Sequence, residues 1–271
     1  MKVAGARFTL SVIVVAAVSV LAACGGSSSS GSLNNGGGGP DEIAITCTGP
    51  LATPGAAPSA APGSCAPSLG GQVAHADCAS AADIGKIDGF QVGELNTQTG
   101  SETDQKVAAS IRAGHCDFIV PGGYVALMQA EQPIQDGLTI VDFIPRSGQN
   151  SVGLLLRCPQ VGNTPCLGVY MYSSEAYECV EVVDGKEHTL TRGTFAGQQF
   201  PAPQLEVNQP NRLVLDVKGG AVHGYINGRQ ICGGKTAVPL TPAGATVQIA
   251  QAGGSAPAGV DIIDFYVFAA T

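Results

Sequence analysis

The sequence has no tryptophan and few charged residues, which make up 13% of its 271 residues. Basic residues are the scarcer kind, with 13 against 21 acidic ones, and the formal net charge is −8. Because nucleic-acid binding relies on clustered lysine and arginine, and here these residues are scattered singly, we expect no nucleic-acid partner. Six tyrosines and eight phenylalanines are the only aromatic side chains left for stacking against a ligand ring.

Motifs of catalysis and metal binding are also missing. There is no Cys-x-x-Cys pair and no His-Glu-x-x-His, so we expect no zinc site. There is no Gly-x-Ser-x-Gly nucleophile elbow. The four histidines, His75, His115, His188 and His223, are far apart in the chain, and each is expected to be a surface or satisfied core residue.

The N-terminus has the pattern of an export signal. Lys2 and Arg7 precede an uncharged apolar run over residues 8–20, which is short for a transmembrane helix. The run ends in Leu21-Ala22-Ala23-Cys24-Gly25, which resembles the lipobox of bacterial lipoproteins. The resemblance implies a signal peptide over residues 1–23, cleavage before Cys24, and a lipid on its thiol that anchors the chain to a membrane.

This lipid anchor places the chain in the bacterial cell envelope, facing the periplasm or the exterior. Secretion with an incidental cysteine is the alternative. The inner and outer membranes are not distinguished by Gly25.

Eight cysteines remain once Cys24 is set apart, and an even number suits disulfides in an oxidising compartment. Four bridges allow about 105 pairings. Local spacing favours Cys158 with Cys166 across a turn-rich loop and, more weakly, Cys179 with Cys232 between two strands; Cys47 and Cys65 could close a loop. The other two cysteines are Cys78 and Cys116.

Composition divides the chain into a tether and a folded domain. Residues 24–67 are dominated by Gly, Ser, Ala and Pro, which cannot bury enough apolar surface to order the chain, and they predict a flexible tether. Residues 68–82 form a transition segment. From 83 to 271, short runs rich in Val, Ile, Leu and Tyr alternate with Gly, Pro, Asn and Asp, which predicts one β-domain.

Twelve runs in this domain have the composition or the alternation of β-strands. In residues 212–218, for example, Leu213, Leu215 and Val217 share one face. The predicted strands are 115–120, 124–128, 138–144, 151–157, 168–172, 178–183, 188–192, 212–218, 221–226, 229–232, 246–250 and 260–268.

The connections between these runs decide the fold class. Gly219-Gly220 and Asn227-Gly228 predict two-residue hairpin turns. Only residues 102–113, with Val107 and Ile111 four apart, have a helical pattern, so parallel βαβ units are not expected. The prediction is an all-β, two-sheet antiparallel sandwich after a disordered tether.

A further pattern lies in five segments of this domain: 151–157, 168–172, 211–217, 222–228 and 260–267. Together they resemble exported domains of the concanavalin A-like lectin/glucanase superfamily, in its laminin-G-like and keto-disaccharide-hydrolase-like branch. The resemblance implies a jelly-roll sandwich over about the last 150 residues, and it specifies the fold more than an activity.

The superfamily contains glycoside hydrolases whose carboxylates lie on one strand as Glu-x-Asp-x-x-Glu, and that motif is absent here. Glu175, Glu178, Glu181 and Asp184 are the nearest acidic cluster. A spacing of three places Glu178 and Glu181 on opposite faces of a regular strand. We therefore expect them to be solvated charges on an exposed strand and its turn.

Ligand binding remains open. Tyr170 and Tyr172 share one strand face, and Tyr225 alternates with His223 on another strand, so these three tyrosines are candidate ligand contacts or core residues. No cofactor is expected. Calcium, common in laminin-G-like relatives, would need converging oxygens such as those of Asp216, Asp261 or Asp264, whose spacing does not favour a site.

Two classes of function follow. The favoured one is a membrane-anchored exported lipoprotein with a non-catalytic sandwich that binds a protein, a glycan or an envelope component. The alternative is an extracytoplasmic glycoside hydrolase or a related carbohydrate-active enzyme.

Overall fold

The structure is a computed structural model. It describes residues 69–99, 102, 104–156, 166–172, 176–183, 186–194, 208, 210–226, 229–236 and 242–270. The predicted signal peptide, Cys24, the tether with Cys47 and Cys65, and Cys158 lie outside the described residues, as does the predicted turn at Asn227-Gly228. No helix within the described ranges is long and apolar enough to cross a bilayer.

Fifteen strands and one short 3-10 helix, Ile84–Lys86, make up the described fold. The strands in chain order are β1 Leu69–Asp77, β2 Phe90–Asn96, β3 Ala108–Arg112, β4 His115–Val120, β5 Tyr124–Ile134, β6 Gly137–Ser147, β7 Gln149–Leu156, β8 Cys166–Tyr172, β9 Ala176–Val183, β10 Lys186–Thr194, β11 Asn211–Lys218, β12 Ala221–Ile226, β13 Arg229–Lys235, β14 Ala243–Gly253 and β15 Ala258–Ala270.

The strands form two sheets. The eight-stranded sheet has the order β13-β12-β11-β6-β15-β4-β3, and β1 pairs with the C-terminal half of β15 beside β4. The seven-stranded sheet has the order β10-β9-β8-β7-β14-β5-β2. Neighbouring strands in the described ranges pair antiparallel, which confirms the predicted all-β sandwich.

The core lies between the sheets. It is built by alternate residues of the central strands, whose inward side chains are aliphatic or aromatic. Each such buried side chain contributes about 1.5–3 kcal/mol through loss of water-exposed apolar surface. The largest buried residues include Phe118, Phe143, Leu154, Met171 and Phe265.

All twelve predicted strands are present, and Gly219-Gly220 forms the predicted turn with φ angles of 57° and 85°. The predicted helix over residues 102–113 is wrong. Its C-terminal part is β3, in which Ala109 and Ile111 face the core with a period of two. Ala113 and Gly114, with φ of 53° and 80°, turn β3 back into β4.

β1 begins at Leu69, inside the segment that the sequence assigned to a transition between tether and domain. It pairs with β15 from Leu69↔Ala270 to Asp77↔Asp264 and is part of the eight-stranded sheet. Sequence signals for this strand are weak, because Ala76 is its one fully buried apolar side chain within the described set.

One complete disulfide is described, between Cys78, directly after β1, and Cys116 on β4, with Cα atoms 5.3 Å apart. Cys166 is also in a disulfide, and so is Cys179, each with a partner that the described residues do not identify. Cys158 and the side chain of Cys232 lie outside the described residues, so the pairings proposed for them stay predictions.

Candidate functional site on the outer face of the eight-stranded sheet

The outer face of the eight-stranded sheet carries charged side chains that are buried. Pairing of β11, β6 and β15 brings Arg212, Asp142 and Asp264 into one row across the sheet. Arg212 donates from Nε to Asp142 Oδ1 and from Nη2 to Asp142 Oδ2, both at 2.6 Å. Burial raises the pKa of Asp142, and the bidentate contact with Arg212 opposes that shift.

Asp264 has a histidine partner from β1. His75 Nε2 lies 2.9 Å from Asp264 Oδ1, and the His75 ring stacks on Tyr266 with centroids 4.1 Å apart. Burial raises the pKa of the Tyr266 hydroxyl, and the nearby Asp264 carboxylate adds to the shift. We call His75, Asp142, Arg212, Asp264 and Tyr266 the Asp142 cluster.

A second group lies beside it on β3, β4, β6 and β15. Arg146 donates from Nε to Asp261 Oδ2 at 2.6 Å and also from Nη2, and His115 Nδ1 lies 3.4 Å from the same oxygen. Arg112 donates to Asp117 and lies 3.5 Å from Asp261 Oδ1. We call Arg112, His115, Asp117, Arg146 and Asp261 the Asp261 cluster.

A β-bulge makes this arrangement possible. Asp261 and Asp264 are three residues apart, which on a regular strand places side chains on opposite faces. The register of β15 against β6 shifts between Ile262 and Asp264, so both carboxylates reach the outer face. Sequence reasoning missed the cluster because no local signal marks the bulge, although Asp261 and Asp264 had been noted.

The bulged strand can be compared with the spacing of the glycosidase motif. Gly259, Asp261 and Asp264 have the spacing of Glu-x-Asp-x-x-Glu, with glycine in the first position and aspartate in the last. A Cβ atom at Gly259 would lie 2.6 Å from Ser147 Oγ and 3.4 Å from Arg146 Cβ. The position is therefore packed for a residue without a side chain.

Asp117 and Asp261 face each other across β4 and β15. Burial raises the pKa of Asp117, and the hydrogen bond to Asp261 and its negative charge raise it further. For Asp261, burial acts in the same direction but is outweighed by Arg146 and other donors, so its pKa is lowered. The neutral form of Asp117 can therefore donate to Asp261.

Replacing Asp117 with asparagine is expected to make the protein relatively more stable as pH rises. A group whose folded pKa is raised stabilises the fold below its unfolded pKa, near 3.8, and that contribution is lost as pH rises through the folded value. Asparagine keeps an N–H donor at every pH. The free energy of unfolding of D117N minus that of the wild type should rise between about pH 4 and pH 8, measured by urea denaturation.

Asp88→Asn, at an exposed turn position, is the control for this titration. A D117N difference that stays flat with pH would show that Asp117 is ionised throughout.

The outer face of the seven-stranded sheet carries a smaller polar group. Tyr172 donates its hydroxyl to Glu178 Oε2 at 3.3 Å, and Thr189 and Arg192 donate to Oε1. Glu178 and Glu181 are both buried, so the expectation that they are solvated charges on an exposed strand is wrong. Glu178 pairs with residues of β8 and β10 that sequence spacing alone could not place beside it.

The predicted tyrosine contacts fall on two sheets. Tyr170 and Tyr172 lie on the outer face of the seven-stranded sheet, and Tyr225 lies on that of the eight-stranded sheet, so the three do not form one site. Tyr170 and Tyr225 are buried. Burial raises the pKa of Tyr225 to about 12. A ligand contact by these tyrosines stays a prediction.

Tyr170 packs flat against two glycines. A Cβ atom on Gly153 would lie 2.5 Å from Tyr170 Cδ1 and Cε1, and one on Gly168 would lie 2.9 Å from Cε2. Gly153→Ala should therefore destabilise the fold by about 1–3 kcal/mol, because the buried ring must move. Urea denaturation measures the loss.

Gly93→Ala, on β2 in the same sheet, is the matched control because nothing lies within 4 Å of its Cβ position. Equal losses for the two variants would mean that the contact with Tyr170 does not set the requirement for glycine at position 153.

Three of the four histidines have an aspartate partner on the outer face of the eight-stranded sheet. Besides His75 and His115, His223 Nδ1 lies 3.8 Å from Asp216 Oδ2. Asp216 pairs with His223 of β12, whereas Asp261 and Asp264 pair with residues of β6. Asp216 therefore lies apart from the other two aspartates on the sheet. Among the described side chains, no three His, Cys, Asp or Glu residues converge as a metal site.

Comparison with solved structures supports the fold. A Bacillus subtilis protein of unknown function with a galectin-like fold matches with a TM-score of 0.55 and 13% identity, over 75% of this chain and 98% of that one. The catalytic domain of an endo-1,3-beta-glucanase (laminarinase) from Thermotoga petrophila matches with a TM-score of 0.55 and 10% identity, over 74% and 98%.

LamA from Z. galactanivorans, in complex with laminaritriose and laminaritetraose, matches with a TM-score of 0.56 and 10% identity, over 74% of this chain and 99% of that one. The sequence matches no protein-family profile and no curated protein. At these identities the likeness establishes the fold: a concanavalin A-like, galectin-like β-sandwich.

Proposed function

We propose that this chain is an exported lipoprotein, anchored through lipid on Cys24, whose β-sandwich binds carbohydrate on the outer face of its eight-stranded sheet. The observation that carries the binding proposal is the arrangement of partly exposed Arg112, Arg146 and His75 over the buried carboxylates of Asp261 and Asp264. Buried acids hold these donors in fixed orientations, which lowers the entropy lost when a ligand is bound.

The fold neighbours give independent support for a glycan. The Thermotoga petrophila structure is named as an endo-1,3-beta-glucanase, and the Z. galactanivorans structure contains laminaritriose and laminaritetraose. These properties belong to those proteins, and the fold likeness carries them to this chain only as part of the proposal.

Binding is favoured over hydrolysis by the state of the carboxylates. Asp142 is held in a bidentate contact by Arg212, and Asp261 is contacted by two arginines and a histidine. Gly259 precedes Asp261 and Asp264 at the motif's first spacing and supplies no carboxylate there. A retaining hydrolase needs one free carboxylate to attack and a second to donate a proton, and this face lacks the first.

Hydrolysis is the second candidate because of Asp117 and Asp261. Their pKa values are displaced in opposite directions, the pattern of an acid and a base set by their surroundings. Such a pair would act with Asp117 as proton donor and Asp261 as the ionised partner. Its two carboxyl groups hydrogen-bond to each other, whereas those of a glycosidase stand about 5–9.5 Å apart, and binding therefore stays the favoured function.

A glycan array with the full chain tests the proposal, followed by a reducing-sugar assay on every glycan that binds. We expect binding without release of reducing ends. If the wild-type protein releases reducing ends and Asp117→Asn does not, the non-catalytic assignment is overturned in favour of hydrolysis. Failure to bind any glycan would overturn the carbohydrate proposal.

The lipid anchor is tested separately with Cys24→Ala. We expect an uncut or misplaced precursor that incorporates no labelled palmitate, whereas Cys65→Ala should be processed and labelled as in the wild type. A Cys24→Ala protein that is still processed and membrane-bound would show the lipidation proposal to be wrong.

A further inference from the structure

Arg112 on β3 presents its guanidinium at the surface of the Asp261 cluster. Its side chain is 59% exposed. Nε lies 3.0 Å from Asp117 Oδ2, and Nη2 lies 3.2 Å from Asp117 Oδ1 and 3.5 Å from Asp261 Oδ1. These contacts occupy Nε and Nη2, and within the described part of the chain no group accepts from Nη1.

Arg146 on β6 flanks the same carboxylate from the other side. Its side chain is 35% exposed, and it donates to Asp261 Oδ2 through Nε and Nη2. Its Nη1 also has no acceptor in the described ranges. Because Asp261 is 1% exposed, it fixes both guanidinium groups from beneath while leaving their outer N–H groups in solvent.

The acids of this cluster face inward. Asp117 and Asp261 are buried, and Asp261 Oδ1 has no hydrogen-bond donor within the described residues other than the neutral form of Asp117. Within the Asp261 cluster, the solvent-facing polar atoms are therefore mainly guanidinium donors. Two guanidinium groups on one carboxylate suit a ligand rich in acceptors better than a neutral sugar, whose hydroxyl groups both donate and accept.

An apolar contact lies next to these donors. Ile119 on β4 is the most exposed large hydrophobic side chain in the described ranges, at 36%. It pairs with Gly259, whose missing side chain allows Ser147 Oγ and the Arg146 stem to come close. Ile119, Gly259 and Ser147 thus form a surface beside the guanidinium groups against which a sugar ring can lie.

We propose that the carbohydrate bound here is acidic, with a carboxylate or sulfate group held by the outer N–H groups of Arg112 and Arg146 and its ring against Ile119. This inference rests on the proposed function and specifies its ligand class. Carboxylate and sulfate groups each present two oxygens that can accept charge-assisted hydrogen bonds from guanidinium N–H groups. The local cationic site stands out in a chain of net charge −8, which would otherwise repel such a ligand.

Isothermal titration calorimetry on the full chain tests this with three probes that share one backbone: laminaritetraose, its 6-O-sulfated form and its 6-carboxylated form. We expect at least one anionic probe to bind about tenfold more tightly than the neutral one. Its affinity should fall between about 0.05 M and about 0.5 M sodium chloride, because salt screens the exposed contacts. The two anionic probes distinguish a sulfate from a carboxylate ligand.

Arg112→Met should weaken binding of the anionic probe by about tenfold or more, and Arg112→Lys should restore part of it. Arg192→Met is the matched control, because Arg192 is 57% exposed and contacts buried Glu178 on the other sheet. The affinity of Arg192→Met for the anionic probe should stay within about twofold of the wild-type value. Thermal melts of each variant show that the fold is kept.

The outcomes separate this inference from the proposal beneath it. Preferential binding of the neutral probe would overturn the acidic ligand class but leave carbohydrate binding intact. Anionic binding that is insensitive to Arg112→Met would place the site elsewhere. Binding of none of the probes, together with a blank glycan array, would overturn both.

Discussion

Replacing Arg212 with methionine is expected to lower the free energy of unfolding by about 3–5 kcal/mol. Arg212 and Asp142 are both almost completely buried, and the pair is joined by two hydrogen bonds of 2.6 Å. Without the guanidinium, the Asp142 carboxylate is left in the same row as Asp264, and no other cation among the described residues contacts it in the same way. Urea denaturation at neutral pH measures the loss.

The double variant Arg212→Met/Asp142→Leu should recover most of that stability, because removal of both charges leaves no uncompensated buried group. Arg192→Met should lower the free energy of unfolding by less than Arg212→Met, because Tyr172 and Thr189 still donate to Glu178 and water can replace the exposed guanidinium. A double variant as unstable as Arg212→Met alone would assign the loss to packing and not to charge.

The strands were predictable where local signals agree. In β11, alternation of Leu213, Leu215 and Val217 with polar residues defines both the strand and its buried face, and Gly219-Gly220 fixes the turn that follows. Such signals lie within a few residues of each other, so they can be recognised in one sequence without knowledge of the tertiary structure.

The errors arose where a segment lacks such agreement. Val107 and Ile111 fit a helical spacing, but Val107, Ala109 and Ile111 fit a strand equally well, and the pairing of β3 with β4 selects the strand. Glu178 and Glu181 were placed in solvent because polar residues are usually exposed, whereas their partners on neighbouring strands allow burial.

The candidate site depends on sheet order, which local patterns do not specify. Arg112, His115, Arg146 and Asp261 come from four different strands and meet only because β15 pairs with both β4 and β6. The bulge after Ile262 is a second non-local feature, since it appears only in the register of the paired strands. The individual residues could be named from the sequence, but their contacts could not.

Removal of the Cys78–Cys116 disulfide, with both residues changed to alanine, is expected to destabilise the fold by about 2–4 kcal/mol, because the bridge closes a long loop in the unfolded chain. The sequence separation is 38 residues. Replacement of both cysteines avoids a free thiol. Thermal and urea unfolding of the double variant measure the effect.

The position of the Cys78–Cys116 bridge predicts which strand opens first when the bridge is removed. β1 and β4 pair with the same edge of β15: β1 along Asp264–Ala270 and β4 along Ala258–Ile262. The disulfide from Cys78 ties the end of β1 to Cys116 on β4. In the described ranges, β1 pairs with one strand, packs Ala74 and Ala76 against the core, and is held by His75 on Asp264 and Tyr266. Amide hydrogen exchange in the double variant should therefore rise more in β1 than in β11, which lies between two strands. A uniform rise in exchange would mean that β1 does not open on its own. A rise confined to β1 would mean that β1 opens alone and that His75 leaves Asp264. The Cys78–Cys116 bridge would then stabilise the Asp142 cluster by holding β1 in place.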